Sequence, residues 1–238
     1  MNKLLRIFGF ALLSTLLAAQ TQNDQAPTLM LNGKDLSGWK ARDPKADPTW
    51  KFVADAKLDP KNPKKLVGIG EGGKSESILF RTDVEHGTDL ISEKEFGDCE
   101  LHVEFMVPKD GNSGVFLMGQ YEMQIIDSFA IPDAKLTEGD AGGIPWLKKP
   151  PTNASKPPGE WQTLDAVFQA PRFDPAGKKT KNAKLVLLVL NGKKVQENVE
   201  IPEPTGGELD GGERPKGPLV LQGDHGMVAI RNLRVHSK

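Results

Sequence analysis

The chain has 238 residues, of which 37% are hydrophobic, and this is enough to build one sizeable core. Its 31 Lys and Arg residues almost balance 32 Asp and Glu residues, so the formal net charge is -1 at pH 7. The short basic runs lie in Pro- and Gly-rich turns without aromatic neighbours, which argues against nucleic acid as a partner.

Residues 1–19 have the layout of a secretory signal peptide. Lys3 and Arg6 precede an apolar stretch, and small residues follow it up to Ala19. An uncleaved membrane anchor is the alternative, but the apolar core is short for a span. We expect an exported protein, periplasmic or extracellular, with a flexible N-terminus over residues 20–27 and no membrane span after cleavage.

Residues 28–238 predict a single all-β domain. Runs with strand-like alternation recur between turn residues, among them CELHVEFMV, YEMQIID, WQTLDAVFQA and KLVLLVL. Asn191 and Gly192, between two such runs, form the strongest hairpin signal in the chain. Long helical periodicity is absent after residue 20, so we expect two antiparallel sheets packed as a sandwich, with few short helices.

Two long loops interrupt this pattern, at residues 129–160 and 202–217. Loops of this length within a compact domain are usually functional rims or disordered linkers. Because each loop returns into a clear strand pattern, we interpret both as rims of a site.

Two strand patterns carry polar residues at alternate positions. In CELHVEFMV, Glu104 shares a face with His102, and in YEMQIID, Glu122 shares a face with Gln124. If the two strands lie in the same sheet, Glu104, Glu122 and Gln124 line one surface on which a polar ligand can lie. Alternation alone leaves a solvent-exposed strand face equally open.

Three further features of the sequence do not indicate a functional site. Residues 68–73, GIGEGG, match the letters of a dinucleotide-binding loop, but a strand pattern follows instead of a helix, so they predict a turn. Cys99 is the single cysteine, which excludes an intramolecular disulfide and favours a small buried side chain. A compact metal-binding motif is absent, and a divalent cation held by side chains from separate strands remains an open alternative.

Two turns carry further candidate residues. Asp127 ends a strand before a long loop, where it can cap the turn, bind a metal or hold a sugar hydroxyl. In LQGDHG, Asp224 precedes His225, and a neighbouring carboxylate can orient a histidine for proton transfer near neutral pH. A hairpin turn without a chemical role is the alternative for this segment.

Six segments follow one another along the mature chain: residues 31–39, 96–105, 112–128, 157–174, 190–192 and 217–235. In order and spacing they resemble the 3-keto-disaccharide hydrolase domain family. The resemblance implies a concanavalin A-like β-jelly-roll sandwich, and cleavage of glycosides whose sugar is oxidised at carbon 3. Pro145 and Trp146 stand where the family usually has a tyrosine, and Cys99 stands where it usually has an aromatic residue.

This chemistry needs a base, a stabiliser for an enolate and an acid. A ketone at carbon 3 acidifies the proton on carbon 2, so a base can remove it before the carbon 1 substituent leaves and water adds. Glu122 or His225 is the candidate base, with Glu104 or Asp224 as its partner. Direct hydrolysis by the two carboxylates Glu104 and Glu122 is the competing mechanism.

Other residues are candidates for contact with the sugar. Asn112, Gln124 or a bound cation would stabilise the developing negative charge. Trp146, in a predicted rim, offers an apolar face and one polar handle. The candidate substrate-binding residues are therefore Asn112, Gln124, Asp127, Trp146, Gln222 and Asp224.

The sequence thus predicts an exported hydrolase or lyase that cleaves 3-keto-glycosides or 3-keto-disaccharides, with a carbohydrate as its partner. A non-catalytic carbohydrate-binding module of the cell envelope on the same jelly roll is the alternative, and a structural or adhesive role is a third. Glycan affinity without turnover would favour the binding module, and the structural or adhesive role predicts that no pocket holds Glu122 and His225 together.

Overall fold

The computed structural model describes residues 26–46, 49–82, 87–207 and 209–238. The predicted signal peptide at residues 1–19, and residues 20–25 of the predicted flexible N-terminus, lie outside the described residues. Within the described ranges, none of the helical structure is long and apolar enough to cross a membrane.

Strands dominate the described part of the chain, which confirms the expectation of an all-β fold with few short helices. The 3-10 helix is Asp133–Lys135. The strands are β1 (Thr28–Leu29), β2 (Trp39–Ala41), β3 (Trp50–Val53), β4 (Asp55–Asp59), β5 (Asn62–Ile69), β6 (Ile78–Arg81), β7 (Leu90–Phe96), β8 (Cys99–Met106), β9 (Asn112–Leu117), β10 (Tyr121–Ile126), β11 (Gln162–Gln169), β12 (Arg172–Phe173), β13 (Lys179–Lys181), β14 (Ala183–Leu190), β15 (Lys193–Ile201), β16 (Gly217–Leu221) and β17 (Ala229–Ser237).

Two antiparallel sheets form the sandwich. The larger sheet has the order β15-β14-β11-β8-β17-β6-β3, with β1 also paired to β17, and the smaller sheet has the order β10-β9-β16-β7-β2. Two hairpins, β4 with β5 and β12 with β13, lie outside these sheets. The predicted two-sheet sandwich is therefore confirmed.

The core lies between the two sheets because alternate apolar side chains of each strand point inward. Leu101, Val103 and Phe105 of β8 share one buried cluster with Ile125 of β10. Fully burying a side chain of this size contributes about 1.5–3 kcal/mol. Cys99 is free and buried in the same cluster, and burial raises the pKa of its thiol to about 12, as fits a packing role.

The opposite face of β10 points away from this core and carries Glu122 and Gln124. Both long loops hydrogen bond to β10 or to the turn before it. The Gly142 N–H donates to the Gln124 carbonyl over 3.2 Å, and the Thr205 N–H donates to the Gln120 carbonyl over 3.0 Å. The loops therefore wall in this outer face, and both polar side chains are only 8% exposed.

Candidate active site

A cavity of about 680 Å³ lies on the outer face of the smaller sheet, between residues of the two long loops. Its volume falls within the range of roughly 300–1,000 Å³ that is typical of small-molecule sites. Six of the nine predicted site residues meet here. The lining residues are Asn112, Glu122, Gln124, Thr137, Glu138, Gly139, Pro145, Trp146, Thr205, Gly206, Gly207, Gln222 and His225.

Glu122 occupies the wall of the cavity beside a glycine. β9 and β10 pair so that Phe116 lies opposite Glu122 and Gly114 lies opposite Gln124. A Cβ atom at Gly114 would lie only 2.2 Å from Glu122 Oε1, so a glycine at this position makes room for the carboxyl group. The main-chain N–H of Glu122 donates to Thr205 Oγ1 over 2.7 Å, which fixes the second loop at this point.

The Glu122 carboxyl group has a strongly altered affinity for its proton. Burial, together with the negative charges of Asp89 and Asp224, raises its pKa from 4.5 to about 8. A carboxyl group that titrates near neutral pH can serve either as a base or as an acid. Such a group inside a cavity marks a candidate functional site.

His225 reaches the cavity from the turn that follows β16. Its Nδ1 atom is hydrogen bonded to the Asp224 carboxylate, so Nε2 is the ring nitrogen that can serve a ligand. The start of the turn is tied to β9, because the Gln222 N–H donates to the Gly114 carbonyl and the Ser113 hydroxyl donates to the Gln222 carbonyl, each over 2.9 Å. β9 therefore holds the turn that carries His225 and also pairs with β10, the strand that carries Glu122.

Two amide side chains in the cavity have complementary roles. Gln124 Nε2 donates to Asn112 Oδ1 over 3.4 Å and to the Gly139 carbonyl over 3.0 Å. Its own Oε1 atom has no hydrogen-bond partner within the described chain. Gln124 thus anchors the first long loop at Gly139 and orients Asn112, which can donate to a ligand through Nδ2.

Trp146 stands at the rim with 84% of its surface exposed. It lies between Ile144 and Lys148, which form an isolated bridge, and its backbone has a φ of +63°. Positive φ is uncommon for a bulky residue and recurs where backbone strain is retained at functional sites. Its indole faces Gly206 of the other loop, where a Cβ atom would lie 2.9 Å from Trp146 Nε1.

Glu104 does not line this cavity, and the prediction that Glu104 shares one surface with Glu122 is wrong. β8 lies in the larger sheet and β10 in the smaller one. Glu104 accepts hydrogen bonds from Arg231 Nε at 2.7 Å and Asn232 Nδ2 at 2.5 Å. Burial tends to raise the pKa of Glu104, but the bonds from Asn232 and Arg231 outweigh it and lower the pKa below its usual value.

Asp127 and Asp224 also lie outside the cavity lining. Asp127 accepts from the Asp110 N–H over 3.0 Å and from the Phe129 N–H over 3.1 Å, which is the turn-capping role among the alternatives considered. Asp224 contacts His225 and acts on the pKa of Glu122, but its side chain lines a separate depression together with Arg42 and Asp89.

Sequence reasoning missed Asp89, which directly precedes β7 and is 4% exposed. It accepts a hydrogen bond from the Gly223 N–H over 2.9 Å. Neither an aspartate before a strand, such as Asp89, nor one after a strand, such as Asp127, carries a local signal of its role, and only the tertiary contact distinguishes the two. Among the described residues, no cluster of three or more His, Cys, Asp or Glu side chains is arranged to hold a metal ion.

Comparison with known proteins identifies similar chains. The family model of the 3-keto-alpha-glucoside-1,2-lyase-like domain matches residues 26–236. The 3-keto-disaccharide hydrolase of Bacteroides thetaiotaomicron is 28% identical over 156 residues, which cover 56% of this chain and 49% of that protein. The chain thus spans about half the length of this relative.

Two solved structures from Parabacteroides distasonis, each a proposed glycosyl hydrolase, are similar to this chain. One has a TM-score of 0.64 and 25% identity, covering 91% of this chain and 84% of that one. The other has a TM-score of 0.55 and 18% identity, covering 89% and 94%. The second likeness concerns the fold alone.

Proposed function

Because the chain belongs to the 3-keto-alpha-glucoside-1,2-lyase-like domain family, we propose that it cleaves the glycosidic bond of 3-keto-glycosides, including 3-keto-disaccharides. The resemblance that six sequence segments carry is confirmed at the level of the family. One observation carries the proposal: Glu122, a buried carboxyl group with a pKa of about 8, lines the same cavity as His225.

In the first step, Glu122 acts as the base. As a carboxylate it removes the proton from carbon 2 of the bound 3-keto sugar, the C–H electron pair forms a C2–C3 double bond, and the ketone oxygen becomes an enolate. A pKa near 8 makes this carboxylate a stronger base than an ordinary one. Asn112 Nδ2 donates to the enolate oxygen and stabilises its charge.

In the second step, His225 acts as the acid. The ketone re-forms, a C1–C2 double bond appears and the C1–O bond breaks, while the imidazolium of His225 gives its proton to the departing oxygen. Asp224, hydrogen bonded to Nδ1, orients the ring for this transfer. Water then adds across the C1–C2 double bond to complete hydrolysis, and release before this addition gives the lyase product.

The geometry does not support direct hydrolysis by the pair Glu104 and Glu122. That mechanism needs two carboxyl groups facing one glycosidic bond. Glu104, the predicted partner of Glu122, lies in the other sheet and is bound by Arg231 and Asn232.

Turnover of a 3-keto-disaccharide in D2O tests both the activity and the mechanism. Elimination followed by hydration places deuterium on carbon 2 of the product, which mass spectrometry detects. Glu122→Gln should abolish the exchange, His225→Ala should slow cleavage more than exchange, and the matched control Glu104→Gln should keep its activity.

Three results would count against this function. These are turnover without deuterium at carbon 2, full activity of the Glu122→Gln variant, and glycan binding with no turnover of any 3-keto-glycoside. The third result would favour the alternative of a non-catalytic carbohydrate-binding module.

We further propose that the protein is exported, with the layout of residues 1–19 as support. Cell fractionation and N-terminal sequencing test this. A mature chain that begins near Gln20, recovered outside the cytoplasm, is the expected result. An intact N-terminus in the cytoplasmic fraction would contradict it.

A further inference from the structure

The turn that carries His225 is held by two buried charged residues. Asp89 accepts a hydrogen bond from the Gly223 N–H over 2.9 Å, and Arg81 Nε donates to the Gly223 carbonyl. A Cβ atom at Gly223 would lie 2.4 Å from the Thr88 carbonyl oxygen, so the turn fits tightly against the segment before β7. The main chain next to His225 is thus bound on both its donor and its acceptor side.

The Asp89 carboxylate also connects to the opposite wall of the cavity. Arg42 Nη1 lies 3.1 Å from Asp89 Oδ2 and donates to the Gly207 carbonyl over 2.9 Å. Gly207 is part of the cavity lining. Asp89 therefore joins the His225 turn through Oδ1 and the second loop through Oδ2 and Arg42.

We propose that Asp89 is a positioning residue that fixes the His225 turn relative to Glu122 and to the loop at Gly207. This role rests on the proposed function, in which Glu122 and His225 act on neighbouring atoms of one sugar. Misplacing a catalytic group by about 1 Å can cost about 100-fold in rate. Outer residues that hold catalytic side chains by hydrogen bonds supply this precision.

The charge of Asp89 has a second consequence, for the proton affinity of Glu122. Among the described residues, the charged or titratable groups placed near Glu122 are Asp89 and Asp224, which act on its pKa, and Glu138 and His225, which line the same cavity. Removing the charge of Asp89 removes one repulsion from the ionised form, so the pKa of Glu122 should fall. Two substitutions of Asp89 can therefore separate the effect of its hydrogen bonds from the effect of its charge.

Asp89→Asn keeps an oxygen that can accept from the Gly223 N–H but removes the charge, whereas Asp89→Ala removes both. We expect kcat to fall about 100-fold in Asp89→Ala and less than tenfold in Asp89→Asn, with little change in KM. Because the base must be ionised to remove the proton, the rate of deuterium exchange at carbon 2 rises with pH through the pKa of Glu122. In both variants this rise should shift to lower pH.

Asp127→Asn is the matched control, since Asp127, like Asp89, caps the main chain, accepting from the Asp110 and Phe129 N–H groups, but does not line the cavity. It should leave both kcat and the pH profile unchanged. Carboxyl ¹³C NMR titration of Glu122 in the substrate-free protein gives a readout that does not need turnover. Its midpoint should be near 8 in wild type and lower in Asp89→Asn.

The proposal would be overturned if Asp89→Asn and Asp89→Ala lost kcat equally and the NMR midpoint of Glu122 did not move. Asp89 would then have a purely structural role. Wild-type kcat in Asp89→Ala would overturn the proposal as well. If the wild-type protein turns over no 3-keto-glycoside, the proposed function fails, and the NMR midpoint still decides whether Asp89 acts on Glu122.

Discussion

Replacing Glu122 by Gln is expected to stabilise the protein at alkaline pH. Burial raises the pKa of Glu122 from 4.5 to about 8, so between these values the folded protein holds a proton that the unfolded chain releases. The stabilisation from this proton is fully present below the unfolded pKa and is lost as the pH rises through about 8. At about 1.4 kcal/mol per pH unit, the gap between the two pKa values corresponds to about 5 kcal/mol.

Urea unfolding of wild type and Glu122→Gln between pH 4 and pH 9 measures this contribution. The variant should match wild type near pH 4, where the carboxyl group is neutral in both states, and exceed it by about 5 kcal/mol above pH 8. Glu104→Gln is the control of opposite sign, because hydrogen bonds lower the pKa of Glu104 and its contribution is lost as the pH falls. Parallel curves for wild type and Glu122→Gln would refute the reasoning.

Three further substitutions test separate parts of the site. Gly114→Ala places a methyl group 2.2 Å from Glu122 Oε1, so the carboxyl group must move and kcat should fall by about 100-fold while circular dichroism stays native. Trp146→Ala removes the exposed rim platform, so KM should rise by about fivefold to tenfold with kcat nearly unchanged. Glu104→Gln weakens the bonds to Arg231 and Asn232, so urea unfolding at pH 7 should show a loss of about 1–3 kcal/mol with full activity.

The features that sequence predicted well depend on neighbours in the chain. Alternation in YEMQIID assigned Glu122 and Gln124 to one face, and the structure places both on the face opposite the core. The pair Asp224 and His225 is adjacent in sequence, so their contact needs no long-range information. Strand alternation and the hairpin at residues 191–192 likewise predicted the all-β fold.

The features that sequence did not predict depend on which strands pair. Alternation gives the face of a side chain within its strand but not the sheet to which the strand belongs. Glu104 was therefore grouped with Glu122, although β8 lies between β11 and β17 in the larger sheet. Asp89 was missed because its contact with Gly223 joins residues 134 positions apart.

Two glutamates with the same strand alternation end in opposite chemical states because of their partners. Glu104 receives two hydrogen bonds, from Arg231 and Asn232, and its pKa falls. Glu122 lies in a buried wall beside a glycine, near two other carboxylates, and its pKa rises. The second arrangement lowers the stability of the folded protein at alkaline pH, whereas a paired carboxylate would not. A buried carboxyl group kept at such a cost is better explained by proton transfer than by packing, and it makes Glu122 the strongest candidate base in the cavity.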